Sequence, residues 1–165
     1  MYDPRGNGKD RDVEAVQFHE VAPPAQLAGI VHRFLELKTQ APLQEDYRFH
    51  ALPDVCTYMV FDQLETQVAG VTGLRTTSEE LNLGKTFHYV NIRFLPGVWQ
   101  CEPEQINYGM VDAPYTGSWP LIEINTRLSR QHDLAGKQSI LAGIVQWLMD
   151  AQLVAANPMV RSRQS

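Results

Sequence analysis

Two stretches, FHALPDVCTYMVFDQ from Phe49 to Gln63 and FHYVNIRFLPGVWQ from Phe87 to Gln100, alternate polar and large apolar residues at strand spacing. Each is broken by a proline-centred turn, Pro53-Asp54 in the first and Pro96-Gly97 in the second. Successive side chains of a strand point to opposite faces, so such runs call for a sheet with one dry face. Proline and glycine at the breaks keep the strands short and their exits sharp.

Further short strands are predicted on either side. Val13 to Val21 alternates and stops at Pro23-Pro24, as an edge strand does. Leu27 to Lys38 fits a helix on Leu27, Ile30, Val31, Phe34 and Leu37, yet Ile30 to Phe34 also reads as strand, and periodicity alone leaves the choice open. Strands are then expected over Tyr47–Leu52, Cys56–Asp62, Gln67–Leu74, Leu81–Leu83 and Phe87–Leu95, with a weaker one at Ile106–Val111. Turns fall at Pro53-Asp54, Asp62-Gln63, Gly73, Gly84-Lys85 and Pro96-Gly97. Short strands separated by turn residues predict a sandwich or barrel.

After Tyr115 the pattern becomes helical. Ser118 is the expected cap of a first helix with Pro120 and Glu123 in its opening turn and an apolar stripe of Leu121, Ile124 and Leu128. A second helix is expected from Gln138 or Ser139, with Leu141, Ile144, Val145, Leu148 and Met149 on one broad face, Trp147 to one side, and an end before Asn157-Pro158. The expected organisation is a loose segment over 1–12, a β-unit over 13–115, a pair of antiparallel helices over 116–157, and the start of a linker over 158–165. The face of Leu141, Ile144, Val145 and Leu148 either covers the β-unit or meets a second copy of the chain, as a homodimer interface.

Charge and composition exclude some functions. A chain of 165 residues with 44% hydrophobic content buries one sizeable core, so one globular unit is expected. The formal net charge of −5 lacks the basic face that releases counterions from phosphates, and the nearest approach to one is Arg161 and Arg163 at the C-terminal end. No export signal and no apolar window of membrane-spanning length is present, so a soluble cytoplasmic protein without membrane contact is expected. In that setting Cys56 and Cys101, both on expected strands, read as small buried hydrophobes rather than a disulfide.

No reactive constellation stands out. His19, His32, His50, His88 and His132 are scattered and form no H-x-H pair, so no metal is expected. Cys56 lies near Asp54 and Cys101 beside Glu102, surroundings that keep a thiol protonated and inert. No G-x-S-x-G elbow, phosphate loop or C-x-x-C pair occurs, so neither catalytic residues nor cofactors are expected. What remains is a binding cavity. On the Phe87 strand, His88, Val90, Ile92 and Phe94 share one face and Phe87, Tyr89, Asn91 and Arg93 the other. The first is more apolar and is expected to line the interior, with His88 at its rim. The candidate ligand residues are Tyr47, His50, Tyr58, His88, Ile92, Arg93 and Trp99, an apolar wall with a few fixed polar groups. Arg93, charged in an apolar strand, must meet solvent, a carboxylate such as Asp54 or Asp62, or an anionic ligand.

The pair of motifs LPD-x-C-x-x-x-VF (Leu52 to Phe61) and N-x-RFLPG (Asn91 to Gly97) resembles the N-terminal half of one subgroup of AraC/XylS-type bacterial transcription regulators. PLIEINTRL at Pro120 to Leu128 and the Asn157-Pro158 step extend the likeness over roughly Ala22 to Val160. The resemblance implies a mainly β fold with α: a cupin-like β-barrel followed by two C-terminal helices. It also implies a short turn or helix and then a strand over Leu27 to Lys38. Val55 departs from the motif, where the family tends to carry glycine, so the turn there is of another type or the register after it shifts by one residue.

The function implied is an effector-sensing and dimerisation domain of an AraC-type regulator. Its partners would be a second copy through the C-terminal helices and a small-molecule effector, with DNA contacted only through helix-turn-helix units this sequence does not contain. Two alternatives stand beside it. One is a small barrel enzyme of isomerase or cyclase type, with His88 or Glu102 as base. The other is a pure interaction module with a filled barrel.

Overall fold

The structure, a computed structural model, describes residues 15–51, 56–72, 79–100 and 114–157, apart from the side chains of His50, Ala51 and Glu79. The turn at Pro53-Asp54, Val55, Gly73, Cys101, Glu102, the expected strand Ile106–Val111 and both terminal segments lie outside the described residues.

Among the described residues seven strands precede two helices: β1 (Val16–Val21), β2 (Val31–Thr39), β3 (Tyr47–Ala51), β4 (Tyr58–Asp62), β5 (Ala69–Thr72), β6 (Glu79–Gly84), β7 (His88–Phe94), α1 (Leu121–Ser129) and α2 (Leu134–Asp150). A single 3₁₀ turn, Ala25–Leu27, leads into β2, so the ambiguous Leu27–Lys38 stretch is a turn followed by a strand. The strands make two antiparallel sheets, one in the order β1-β2-β7-β4-β5 and a smaller one of β3 and β6. The protein is therefore mainly β-sheet with two C-terminal helices, and the described ladders do not join into a closed barrel.

The larger sheet separates two cores. On one face Phe34, Met59, Phe61, Val90, Ile92 and Phe94 pack beneath Leu121, Leu128, Leu141, Ile144, Val145 and Leu148 of the helices. On the other, Leu37 and Tyr89 meet Tyr47, Phe49 and Phe87 under the β3–β6 sheet. The alternation of β7 is as expected, but what covers its dry face is not: Val90, Ile92 and Phe94 lie under the helices rather than around a cavity.

Both helices start differently from expectation. Pro120, not Ser118, occupies the cap position of α1, and no side chain caps it. Asp133 caps α2, its Oδ1 accepting the Gly136 amide at 2.7 Å, so the helix begins earlier than Gln138. That early start brings Leu134 and Lys137 into the buried stripe with Ile140, Leu141, Ile144, Val145 and Leu148. Leu141, Ile144, Val145 and Leu148, the expected dimer face, are thus inside this chain's own core. Burying each contributes roughly 1.5–3 kcal/mol to folding, which a partner chain could reach only by unpacking it.

The chain after α2 returns to the sheet. Gln100 donates its amide to the Leu153 carbonyl and Ala155 to that of Val98, both at 2.8 Å. Asn157 donates from Nδ2 to the Pro96 carbonyl at 3.3 Å. Gly97, with φ of 76°, supplies the left-handed residue that turn requires, and a Cβ there would overlap the Asn157 amide. No helix among the described residues is long and apolar enough to cross a membrane.

Candidate functional site

β2 carries an irregularity that decides where two charges go. Val31 pairs with Phe94 and Arg33 with Arg93, so His32 is an inserted residue, a β-bulge. Val31 and Phe34, three apart, both reach the helix-covered core because of that insertion. Arg33 is turned to the opposite face, directly across the ladder from Arg93.

Arg93 is held firmly on this face. Its Nε donates to Tyr58 Oη at 2.8 Å, and its Nη1 donates to His32 Nδ1 at 2.8 Å. Arginine has no acceptor, so His32 Nδ1 must carry no proton in this contact. The guanidinium carbon also lies 5.9 Å from the Tyr58 ring centroid, within cation–π range. Arg33 donates to the His32 carbonyl at 2.7 Å. Asn91 stands two residues before Arg93 on the same face, flanked by Leu35 of β2 and Val60 of β4. Its Oδ1 is buried with no hydrogen-bond donor among the described residues.

A second charged group lies on the other face. His88 Nε2 donates to Glu36 Oε2 at 2.7 Å, and Lys137 Nζ from α2 donates to the same oxygen at 3.4 Å. Lys137 is 1% exposed and Glu36 2%. Burial opposes the Glu36 charge, but the His88 hydrogen bond and the charges of Lys137, His88 and Lys38 outweigh it and hold the carboxyl below its ordinary value. A histidine oriented by a carboxylate is the arrangement of a general base. Here, however, the same carboxylate oxygen neutralises a buried lysine, which makes the group a pin between sheet and helix.

Asn125 of α1 pins the other helix. Its Nδ2 shares hydrogen bonds among the carbonyls of Asp62, Thr66 and Val68 at 3.1, 3.1 and 3.2 Å, and its Oδ1 accepts from Gln63 Nε2 at 2.7 Å. Asp62 Oδ1 accepts the amides of Leu64 and Glu65 in that turn. Burial pushes the Asp62 carboxyl above its ordinary value, these amides and His88 working against the shift and Glu65 with it.

Of the candidate ligand residues, only Tyr58 and Arg93 are brought together. Tyr47 packs against Phe87 at the far end of β7, with ring centroids 5.4 Å apart. His88 belongs to the Glu36 group, and Ile92, wholly buried beneath the helices, can line no cavity on the Arg93 face. Trp99 meets Phe94 edge-on at 4.8 Å and stacks on Trp119 at 5.8 Å, in an aromatic series that continues to Trp147. The His50 side chain lies outside the described residues. Of the carboxylates considered for Arg93, Asp62 serves its own turn and Asp54 lies outside the described residues.

Sequence reasoning missed Arg33, Asn91 as a polar orphan, Glu36, Lys137 and Asn125. Lys137 had a signal: counted from the Asp133 cap, it falls within the apolar stripe of α2, where a lysine needs a buried partner. The bulge had none beyond the unusual Val31–Phe34 spacing. No group of three or more His, Cys, Asp or Glu among the described residues is placed to hold a metal ion.

The family model described as a domain of unknown function, DUF6597, matches residues 19–101, just over half of the 165-residue chain. No curated protein and no solved structure shows significant similarity to it.

Proposed function

The chain belongs to the DUF6597 family, and from that premise we propose that it is the effector-sensing and dimerising half of an AraC/XylS-type transcription regulator, without catalysis of its own. The observation that carries this reading is the network of Arg93, Tyr58, His32 and Arg33 on the face of the sheet away from the helices. It is a fixed polar group amid Leu35 and Val60, the composition of a small-molecule site.

The strand pairings support a cupin-like β-unit. β2 with β7, β3 with β6 and β4 with β5 are nested about the β4–β5 hairpin, the wrapping order of a jelly roll. In this reading the Arg93 face is the inside of the roll. An effector there acts by binding one arrangement of the β-unit and helices better than another, which shifts the population of the two. DNA is contacted by a separate helix-turn-helix part, and the protein works in the cytoplasm. Since the apolar stripe of α2 is internal, the dimer contact uses the outer side of that helix, where Trp147 is 38% exposed.

Fused to a DNA-binding domain that activates a reporter only as a dimer, the chain should switch the reporter on. Trp147→Glu should lower the output while leaving the circular dichroism spectrum unchanged. Alone, the chain should give no sequence-specific gel shift. A silent fusion, or tight specific DNA binding by the chain itself, overturns the reading.

A further inference from the structure

The two arginines face each other as Cα partners across the β2–β7 ladder. Like charges directly opposed on a sheet are unfavourable, and on a half-buried face water screens them less than it would outside. The fold nevertheless inserts a residue at His32, and that insertion is what turns Arg33 to this side. Among the described residues Arg33 meets a carbonyl oxygen rather than a carboxylate, so its charge is not neutralised there. Arg33 and Arg93 thus share one face as ladder partners, Arg93 fixed by Tyr58 and His32, and a guanidinium is the side chain whose N–H fork matches a carboxylate.

A second polar demand lies close by. Asn91 Oδ1 is buried and lacks a donor among the described residues. Two residues of strand separate it from Arg93, about 6–7 Å. A ligand that answers both demands carries a negative charge at one end, a hydrogen-bond donor at the other, and an apolar body to lie against Leu35 and Val60. We propose that this face binds a small hydroxycarboxylate, its carboxylate between Arg33 and Arg93 and its hydroxyl donated to Asn91 Oδ1. The assignment rests on the sensor reading above and names the chemical class of its effector.

The test is calorimetric titration of the whole chain with three probes: ω-hydroxypentanoate, pentanoate and ω-hydroxypentanamide. The hydroxycarboxylate should bind saturably. The amide, which loses the charge, and pentanoate, which leaves Asn91 without a donor, should each bind about tenfold more weakly or worse. Arg33→Gln should weaken the hydroxycarboxylate by at least about tenfold with an unchanged circular dichroism spectrum. Asn91→Ala should remove the preference for the hydroxyl while keeping the preference for the charge. An amide that binds as well as the acid, an Arg33→Gln protein with wild-type affinity, or no binding of the hydroxycarboxylate at millimolar concentration overturns the assignment. An active dimer-dependent reporter alongside any of these would leave the regulatory role standing and remove only the ligand class.

Discussion

The two faces of the larger sheet are built from alternate residues of the same strands, yet they solve opposite problems. Toward the helices, Val90, Ile92 and Phe94 are wholly buried, and the Glu36 carboxylate is matched by His88 and Lys137. Toward the smaller sheet, Asn91 keeps an acceptor without a donor among the described residues, and Arg33 stands across from Arg93. Among the described residues both sides keep a buried polar atom without a partner, Gln63 Oε1 and Trp99 Nε1 toward the helices and Asn91 Oδ1 on the other face, so the contrast lies in the opposed arginines. The first face holds the fold together, and the second is the one on which the proposed effector would sit.

That contrast can be broken most severely at the helices. Replacing Ile144 and Leu148 together with Asp should cost at least about 5 kcal/mol and unfold the chain, seen as loss of the circular dichroism signal. A folded, monomeric double variant would mean that this stripe faces a partner instead. Next in size, Glu36→Gln strands the Lys137 ammonium and should cost about 3–5 kcal/mol in urea unfolding, whereas Glu36→Leu with Lys137→Met should recover most of that loss. Because Glu36 is held below its ordinary value of 4.5, its contribution is complete above that pH and fades as the pH falls below it. Asp62, raised from 3.8, has the opposite sign, so the acid loss of stability should be steeper in Asp62→Asn and shallower in Glu36→Gln.

Asn125→Ala removes the amide that gathers the β4–β5 turn and should cost about 2–3 kcal/mol, measured the same way. The smallest effect sharpens the comparison from the other side. Arg33→Gln should change stability by no more than about 0.5 kcal/mol, or raise it, because it relieves an opposed charge. A loss of several kcal/mol would make the polar face structural after all.

Much of this was legible from residue spacing. The alternation of β7 and β4 assigns their side chains to faces correctly, whereas for Leu27–Lys38 spacing left helix and strand open and the turn-then-strand reading came from the family resemblance. What spacing lacks is the identity of the cover. It groups Val90, Ile92 and Phe94 but cannot tell a helix layer from a cavity wall, and so Ile92 entered the candidate site. The site's defining irregularity was hidden for a related reason. An inserted residue restores same-face placement to positions three apart, which on a sequence looks like helix. For Lys137 the obstacle was local: placing the helix start at Gln138 left the lysine outside the stripe, although Asp133 three residues before Gly136 offers the capping geometry. Arg93 and Tyr58 were found because each is conspicuous within its own strand. Their partners Arg33 and His32 come from a different strand, and no local pattern links the two.

The return of the chain after α2 gives the molecule a mechanical asymmetry. Residues 153–157 are zipped to 98–100 and latched by Asn157 onto the Pro96-Gly97 turn, immediately beyond the end of β7. A tug on residue 157 therefore loads the middle strand of the sheet before it strains the helix, so force arriving from that side is delivered to the strand that carries Arg93.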